Sequence, residues 1–408
     1  MRCVQYPAPH LLFHALLIFS SCQEPEPLFT GQLGDTKLTL EAELMGRVEW
    51  RDDSDLSTPA GESADAIRMR AAVGVRADMG AYLSGFGEVL ASWSDSADHL
   101  NGDLSNLYLD FHRLLGNWDL RAGRAEIELG DGRLVSSSRA WQFEPNSFDG
   151  LRVSNNPTGR DSRWQAWFTT AGIGIANVED DTFGGAYGEW RIGRTQAAEL
   201  YFLFRDQDAM AVTEITLAGR WHGVTRGGLE WSFFGANQDG DQINHRETWA
   251  QAFVMTLGKE LEFDNHVGLE FGFATGNDDK PGDFKRFTPV YIDQHRYNGR
   301  ADIFGFANLV DLAFNYWRPW SKTWNLHADL HNFWRANRSD DAYSAYTLAP
   351  YGITGNSSAL GSELDLYAEG QMGKATWLDF GGAFFLTGTA MPTDENQIWV
   401  FASLVYGF

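Results

Sequence analysis

From Lys37 to Arg51 the chain alternates between two chemistries. The even positions Leu38, Leu40, Ala42, Leu44, Gly46, Val48 and Trp50 are apolar. The odd positions carry Lys37, Glu41, Glu43, Arg47, Glu49 and Arg51 among them. A period of two is the strand period, because successive side chains leave a β-strand on opposite faces. A helix would scatter both sets around its axis. The run is also about twice the mean strand length of soluble domains, ~5–6 residues. Its two faces therefore meet two different solvents.

A second run behaves alike: Ile67, Met69, Ala71, Val73, Val75 and Ala77 alternate with Arg68, Arg70, Ala72, Gly74 and Arg76. Alternation then returns near 81–93, 105–115, 118–129, 148–155, 162–171, 183–192, 196–206 and 212–222. It continues near 226–238, 247–258, 264–275, 306–318, 323–336, 360–370, 375–386 and 396–408. These runs predict an all-β chain forming a single transmembrane antiparallel β-barrel of about eighteen strands, with sixteen as the alternative count. Short connections such as 76–81 and 316–324 fit periplasmic turns. The longer polar ones at 93–103, 276–300 and 337–358 fit extracellular loops, long enough to cap the mouth or fold into it. In the last run Ile398, Val400, Ala402, Leu404, Tyr406 and Phe408 share one face, and Phe408 is the final residue. Such an ending resembles the closing strand that the barrel-insertion machinery reads, and it has to pair with the strand at 37–51.

Composition narrows the class. With 408 residues the chain exceeds what one small core needs, and its mean hydropathy of −0.32 excludes a polytopic helical membrane protein. No run reaches the roughly 18 apolar residues a spanning helix requires. Aromatics at 14%, including 16 Trp, suit the interfacial girdles of a barrel. Net charge is −23, so no excess of cations is left to displace counterions from nucleic acid. Both cysteines, Cys3 and Cys22, precede residue 23, which leaves the rest without a disulfide framework or thiolate metal site. Arg2 and the apolar segment 11–22 read as an export signal over 1–22, followed by the barrel over 23–408. An acylated Cys22 is the lipoprotein alternative.

The charged face supplies the candidate chemistry. The period places Arg47, Arg51, Arg68, Arg70, Arg76, Arg124, Arg152, Arg163 and Arg335 inward. Glu41, Glu43, Glu88, Asp110, Glu126, Glu363 and Asp365 join them. Guanidinium groups stay charged and grip carboxylates through two hydrogen bonds, so an arginine-lined constriction suits an acidic solute. The plain alternative is salt bridges filling a polar interior. His327, Asp329 and His331 share one strand face with neighbours ~7 Å apart, which reads as lumen polarity more readily than as a metal site. No cofactor is expected, although the loop acids Asp278, Asp279 and Asp283 are a candidate calcium cluster.

The stretch 120–154 has a different character. Its GRAEIELGDGRL, Trp141 and SFDG at 147–150 together resemble the alginate export family of outer-membrane barrels. That family carries a Gly-Arg pair, a Gly-Asp-x-Arg-Leu turn and a Phe-Asp-Gly strand in this order. The segment 273–312, with PVY, HRYNG and NL, is similar in the same sense, and the likeness spans most of the chain. It implies a barrel of about eighteen strands with an electropositive constriction that passes a uronic-acid polymer out of the periplasm. It places Gly123, Arg124, Gly130, Asp131, Arg133, Trp141, Phe148, Asp149 and Gly150 at family motif positions. On the residues themselves, Arg124 is expected to face the lumen, Gly130 to Arg133 to form a turn, and Asp149 to anchor an inward loop.

The expected function is passive passage of an anionic polysaccharide or oligosaccharide across the outer membrane. A general or anion-selective porin for small-solute uptake is the alternative. An outer-membrane lipase would need a Ser–His pair facing lipid, and no serine neighbours a candidate base on an outward face. A purely structural anchor is the last reading, and the arginine-rich interior weighs against it. The expected partners are outer-membrane lipid, the insertion machinery and an anionic polysaccharide or small anions, with no nucleic acid.

Overall fold

The computed structural model describes residues 27–408 except 53–55, 57–62, 96–98, 156–161, 171–180, 208–211, 243–245 and 279–281. The expected export signal and Cys22 lie outside the described residues. Among the described residues nineteen strands follow one another. They begin with β1 (Phe29–Leu33), β2 (Thr36–Arg51), β3 (Ala64–Met79), β4 (Leu83–Ser94), β5 (His99–Leu115), β6 (Trp118–Glu126) and β7 (Ser147–Asn155). Then come β8 (Ser162–Thr170), β9 (Asp181–Ile192), β10 (Gln196–Gln207), β11 (Val212–Val224), β12 (Leu229–Gln242) and β13 (Arg246–Glu260). The last six are β14 (His266–Ala274), β15 (Leu309–Pro319), β16 (Trp324–Arg335), β17 (Ala359–Met372), β18 (Thr376–Thr387) and β19 (Gln397–Gly407). Among the described residues the only helical pieces are two 3-10 turns, Glu262–Asp264 and Gln294–Arg296.

Every strand from β2 to β19 pairs antiparallel with its sequence neighbour, and β19 returns to β2. The result is a closed barrel of eighteen strands with one strand to spare. Closure satisfies every strand edge, which a lipid-exposed sheet requires. Phe401 lies opposite Glu49, and the Phe408 amide donates to the Ala42 carbonyl at 2.8 Å. The seam between the last run and the first is therefore the one the alternation predicts. The extra strand, β1, did not show in the pattern. It forms a tight hairpin with β2, pairing Phe29 with Leu40 through to Leu33 with Thr36. That covers the stretch of β2 that extends past the end of β19, an edge that would otherwise hang open.

The faces fall as the period dictates. Leu44, Val48, Met69, Val73, Val400 and Leu404 are exposed, whereas Glu43, Met45, Arg47 and Arg70 are buried. On β16, Trp324 and Trp334 share the outward face ten positions apart. At a tilt of 40–45° that spacing spans about 25 Å of height, the apolar band of an outer-membrane barrel.

The start of β2 and the end of β19 lie at one end of the barrel, together with the short connections 80–82, 116–117, 193–195, 225–228, 261–265, 320–323 and 373–375. The opposite end carries the long segments 127–146, 275–308 and 336–358. The expected long connection at 93–103 is shorter than its polarity suggested. Pairing of Ser94 with His99 carries the β4–β5 ladder outward and leaves only four residues, 95–98, between the two strands. Polar residues remain in strand there because the ladder projects beyond lipid.

The three long segments fold into the barrel and build a core inside it. Leu129, Val135, Trp141, Phe287, Ile292, Phe304 and Phe306 from these loops bury against inward Phe183, Phe333, Phe385 and Trp399 of the wall. Aromatic contacts join loop to wall, including Phe304 with Phe333 and Phe385 at 5.1 and 5.7 Å.

Candidate functional site in the barrel lumen

The two motif-bearing loops meet inside the barrel. Tyr291 exchanges backbone hydrogen bonds with the 127–146 loop: the Ser136 amide donates to its carbonyl at 2.8 Å, and its own amide donates to Leu134 at 3.0 Å. Tyr297 Oη donates to the Asp131 carbonyl at 2.7 Å. Trp141 lies between two partners, with His295 stacked at 3.3 Å and the Arg47 guanidinium 3.7 Å over its ring. The two motif blocks are thus one structural unit.

Each motif piece has a physical reason. The Gly-Arg and Phe-Asp-Gly segments are direct register partners: Gly123 faces Gly150, Arg124 faces Asp149 and Ala125 faces Phe148. Gly123 has φ +124°, and a Cβ there would collide with the Leu107 backbone of the neighbouring strand. Phe148 turns inward onto Phe183 and Tyr291 at 5.2 and 4.9 Å. Gly130 to Arg133 form the expected turn, closed by the Gly132 amide donating to Leu129 at 2.9 Å. Gly130 has φ +57°, and any side chain would run into the Tyr201 hydroxyl and the Glu199 carboxylate.

Arg124 departs from expectation. Its register partner Leu107 is 54% exposed, and Asp149 lies in the row of exposed Leu151 and Val153. Arg124 therefore sits on the outward face, where it holds Asp149 through two hydrogen bonds of 2.7 and 2.5 Å. Counting by two along β6 in fact sets Arg124 in the same row as Trp118, Leu120 and Ala122, and both neighbouring ladders run unbroken through it; the expectation of a lumen position followed the charge and not the period. Asp149 accordingly braces the strand pair from which the 127–146 loop departs. Substituting Arg124 by Gln is expected to leave ion selectivity unchanged and to lower stability by about 1 kcal/mol or less, as for a half-exposed pair. A changed reversal potential would place the side chain in the lumen after all.

The other wall arginines divide into three groups. Arg47, Arg51, Arg70 and Arg335 hold loops: Arg47 Nη1 donates to the Trp141 carbonyl at 3.0 Å and Arg51 Nη2 to the Ala301 carbonyl at 2.7 Å. Arg70 donates to the Arg139 carbonyl at 2.9 Å and pairs with Glu43 at 2.5 Å. Arg335 donates to the carbonyls of Asp340, Gly355 and Ser357. Arg68 and Arg76 keep solvent contact, with side chains 42% and 33% exposed and carboxylates Glu49 and Glu41 at 4.0 and 3.7 Å. Arg152 reaches the Glu126 carbonyl at 3.4 Å, while Arg163 is exposed on β8 opposite Glu189. Among the acids, Asp110 is held by Arg121 at 2.7 and 2.8 Å, an arginine the sequence reading passed over.

The strongest charge centres come from the loops. Arg139 meets three wall glutamates: Glu126 at 2.6 Å, Glu88 at 2.8 Å and Glu43 at 3.7 Å. Burial alone would lower its pKa, but the three carboxylates outweigh that and raise it well above the usual arginine value. Arg133 grips Glu270 at 3.0 and 3.1 Å and stacks over Tyr297. Asp131 is pushed up by burial, yet Arg220 at 2.8 Å, with Arg133 and Arg296 beside it, holds its carboxyl below the ordinary range. Arg300 pairs with Asp379 and lies 4.0 Å over the Tyr367 ring, while its backbone neighbour Ala301 donates to Glu363 at 2.9 Å. Asp365 accepts from the Arg300 amide at 3.3 Å.

His327 and His331 are held by separate carboxylates. His331 sits 2.9 Å from Asp311 and His327 3.2 Å from Glu369, so Asp329 does not draw them together. Among the described residues no group of three or more His, Cys, Asp and Glu is arranged to hold a metal. Asp278 is engaged by Lys285 at 2.9 Å, and Asp279 of the same acidic run lies outside the described residues. Among the described residues one Ser–His contact is found, Ser84 Oγ to His112 Nε2 at 2.9 Å, with Asp119 3.7 Å from His112 Nδ1. Ser84 is buried on the inward face, so it offers no lipid-facing nucleophile.

The sequence profile of the family described as "Alginate export" matches residues 29–398. Among solved structures, OccK8 (OprE) of Pseudomonas aeruginosa superposes with a TM-score of 0.63 at 12% identity, covering 91% of this chain and 98% of that one. OprD of the same organism gives 0.60 at 10% identity, covering 94% and 97%. OpdK, solved with vanillate, gives 0.60 at 13% identity, covering 93% and 100%. At such identities these likenesses speak for the fold. No curated protein sequence matches.

Proposed function

The chain belongs to the alginate export family and is an integral outer-membrane β-barrel, and from that premise we propose that it is a passive channel for acidic saccharides, with no enzymatic step. The observation that carries the reading is the cluster of Arg47, Arg51, Arg68, Arg70 and Arg76 on the inward faces of two adjacent strands. Most of that charge is occupied by loop carbonyls and glutamates. Arg68 and Arg76 are the members left in contact with solvent, and they are the ones a passing carboxylate would meet.

A second reading has its own support. The loops fill much of the lumen, packing Trp141, Phe287 and Phe304 against the wall, which suits a small solute more than a free polymer. Gating of the loops would reconcile the two readings.

The test is a reversal potential across a salt gradient in planar bilayers. The wild type is expected to prefer anions, and Arg68→Glu with Arg76→Glu should remove or invert that preference while leaving the barrel folded. A cation-selective wild type overturns the acidic-solute reading. Comparing flux of an oligouronate with that of its monomer separates conduit from small-solute porin.

A further inference from the structure

The outer wall of the barrel is not evenly covered. One outward row crosses β8 to β12 through Trp164, Gly188, Leu200, Gly219 and Gly235, each the register partner of the next. The rows on either side are bulky. Phe202 and Leu217 stand on the side of the long loops, and Trp190, Trp221 and Phe233 on the side of the short turns. Trp164 covers Gly188 and Leu200 leans over Gly219, where a Cβ would come within 2.6 and 3.3 Å of those side chains. Gly235 differs, because nothing lies within 4 Å of where its Cβ would be. The glycine row thus floors an open groove of about 540 Å³ in the wall, lined by apolar side chains apart from Asn237. That is room for a small ligand, roughly 300–1,000 Å³.

A groove on this face is filled from the bilayer, since an empty depression forfeits the dispersion contacts of its lining. Charge decides which lipid. The two short turns that join β9 to β10 and β11 to β12 carry exposed Arg191, Arg194 and Arg226. No acid occurs between 191 and 198 or between 222 and 229 to neutralise them. The next turn, 261–265, is acidic instead, with Glu262 and Asp264. At the long-loop end of the same strands the outward rows reach Asp206 on β10 and Asp239 on β12. An anionic headgroup is therefore attracted at the turns beneath the groove and repelled at the opposite end.

We propose that this groove is a specific lipid site, seating an acyl chain of an anionic phospholipid from the short-turn leaflet with its headgroup among Arg191, Arg194 and Arg226. The chain lies over Gly235 and Gly219, and the Trp190–Trp221 row marks the depth at which chain gives way to headgroup. The inference stands on the barrel fold and the charge of its turns, and it is independent of what passes through the lumen.

The probes are phosphatidylglycerol and phosphatidylethanolamine of matched chains, added to the delipidated full-length barrel in detergent and read by native mass spectrometry. The wild type should bind phosphatidylglycerol about tenfold more tightly than phosphatidylethanolamine. Gly235→Leu enters open space at an unstrained backbone position and fills the groove floor. It should weaken binding of both lipids about tenfold while the barrel keeps its folded mobility on an unheated gel. Arg191→Gln combined with Arg194→Gln and Arg226→Gln leaves the groove intact and should make the two lipids bind alike. Retention of neither lipid, unchanged binding in Gly235→Leu, or a preference that survives loss of the three arginines overturns the site. A dimer that Gly235→Leu dissociates assigns the groove to a second copy of the chain and overturns it as well.

Discussion

Replacing Arg139 with Met should release the 127–146 loop from the barrel wall and raise the single-channel conductance. Arg139 is the one loop residue that engages Glu43, Glu88 and Glu126 together, carboxylates carried by β2, β4 and β6. Without it Glu88 and Glu126 lose their cation, and Glu43 keeps only Arg70. Removing one partner from a buried ion pair typically destabilises by about 3–5 kcal/mol, because the remaining charge is stranded. That strain falls on the loop and not on the ladder, since the backbone hydrogen bonds of β2 to β7 do not depend on Arg139. The barrel should therefore still run as a folded species on an unheated gel, while the loop becomes open to protease. Conductance and protease resistance that both match the wild type would show that the glutamates do not hold the loop.

The wall of this protein was legible in the sequence and its contents were not. Eighteen strands, the outward row from Leu38 to Trp50 and the closing pair of β19 with β2 follow from a period of two, because lipid on one side enforces it at every position. No such constraint acts on the inner face. Arg47 and Arg68 carry the same charge directly opposite each other on β2 and β3, yet one is pinned under Trp141 and the other meets water. The difference is made by loops that arrive from ninety or more residues away. Arg133, Arg139 and Arg300, which neutralise much of the acidic wall, sit in irregular segments where no period assigns a direction. A partial signal was available: β19 reads Trp399-Val400-Phe401, apolar on both faces, and β18 carries Phe384-Phe385. A lumen face that is aromatic has to be covered by something other than water, and Trp399 and Phe385 are where the loops pack. Arg124 failed for a different reason: the period along β6 sets it in the outward row of Leu120 and Ala122, and its charge alone pointed to the lumen.

The second large effect is on pH. Lowering the pH from 7 to 4 should loosen the 275–308 loop, seen as a rise in conductance and a change in tryptophan emission from Trp141. Burial pushes the His295 imidazole down to about 4, with Asp302 pulling weakly the other way. The released loop would titrate near ~6.5, so it binds more protons than the packed loop throughout that interval. The packed state is therefore at full strength above ~6.5 and declines as pH falls toward 4, by about 3 kcal/mol in all. Asp302 acts in the same direction at still lower pH: burial would raise it, but His295 outweighs burial and holds it below the ordinary range. Burial raises Asp293 and Glu128, whose protonation on acidification favours the packed loop and opposes the trend. His295→Gln isolates the histidine, because glutamine can still donate to Asp302 but carries no proton switch. Its conductance should be flatter between pH 7 and 4 than that of the wild type. Superposable profiles would mean that the carboxylates, and not the imidazole stacked on Trp141, set the response, since only the histidine differs between the two proteins.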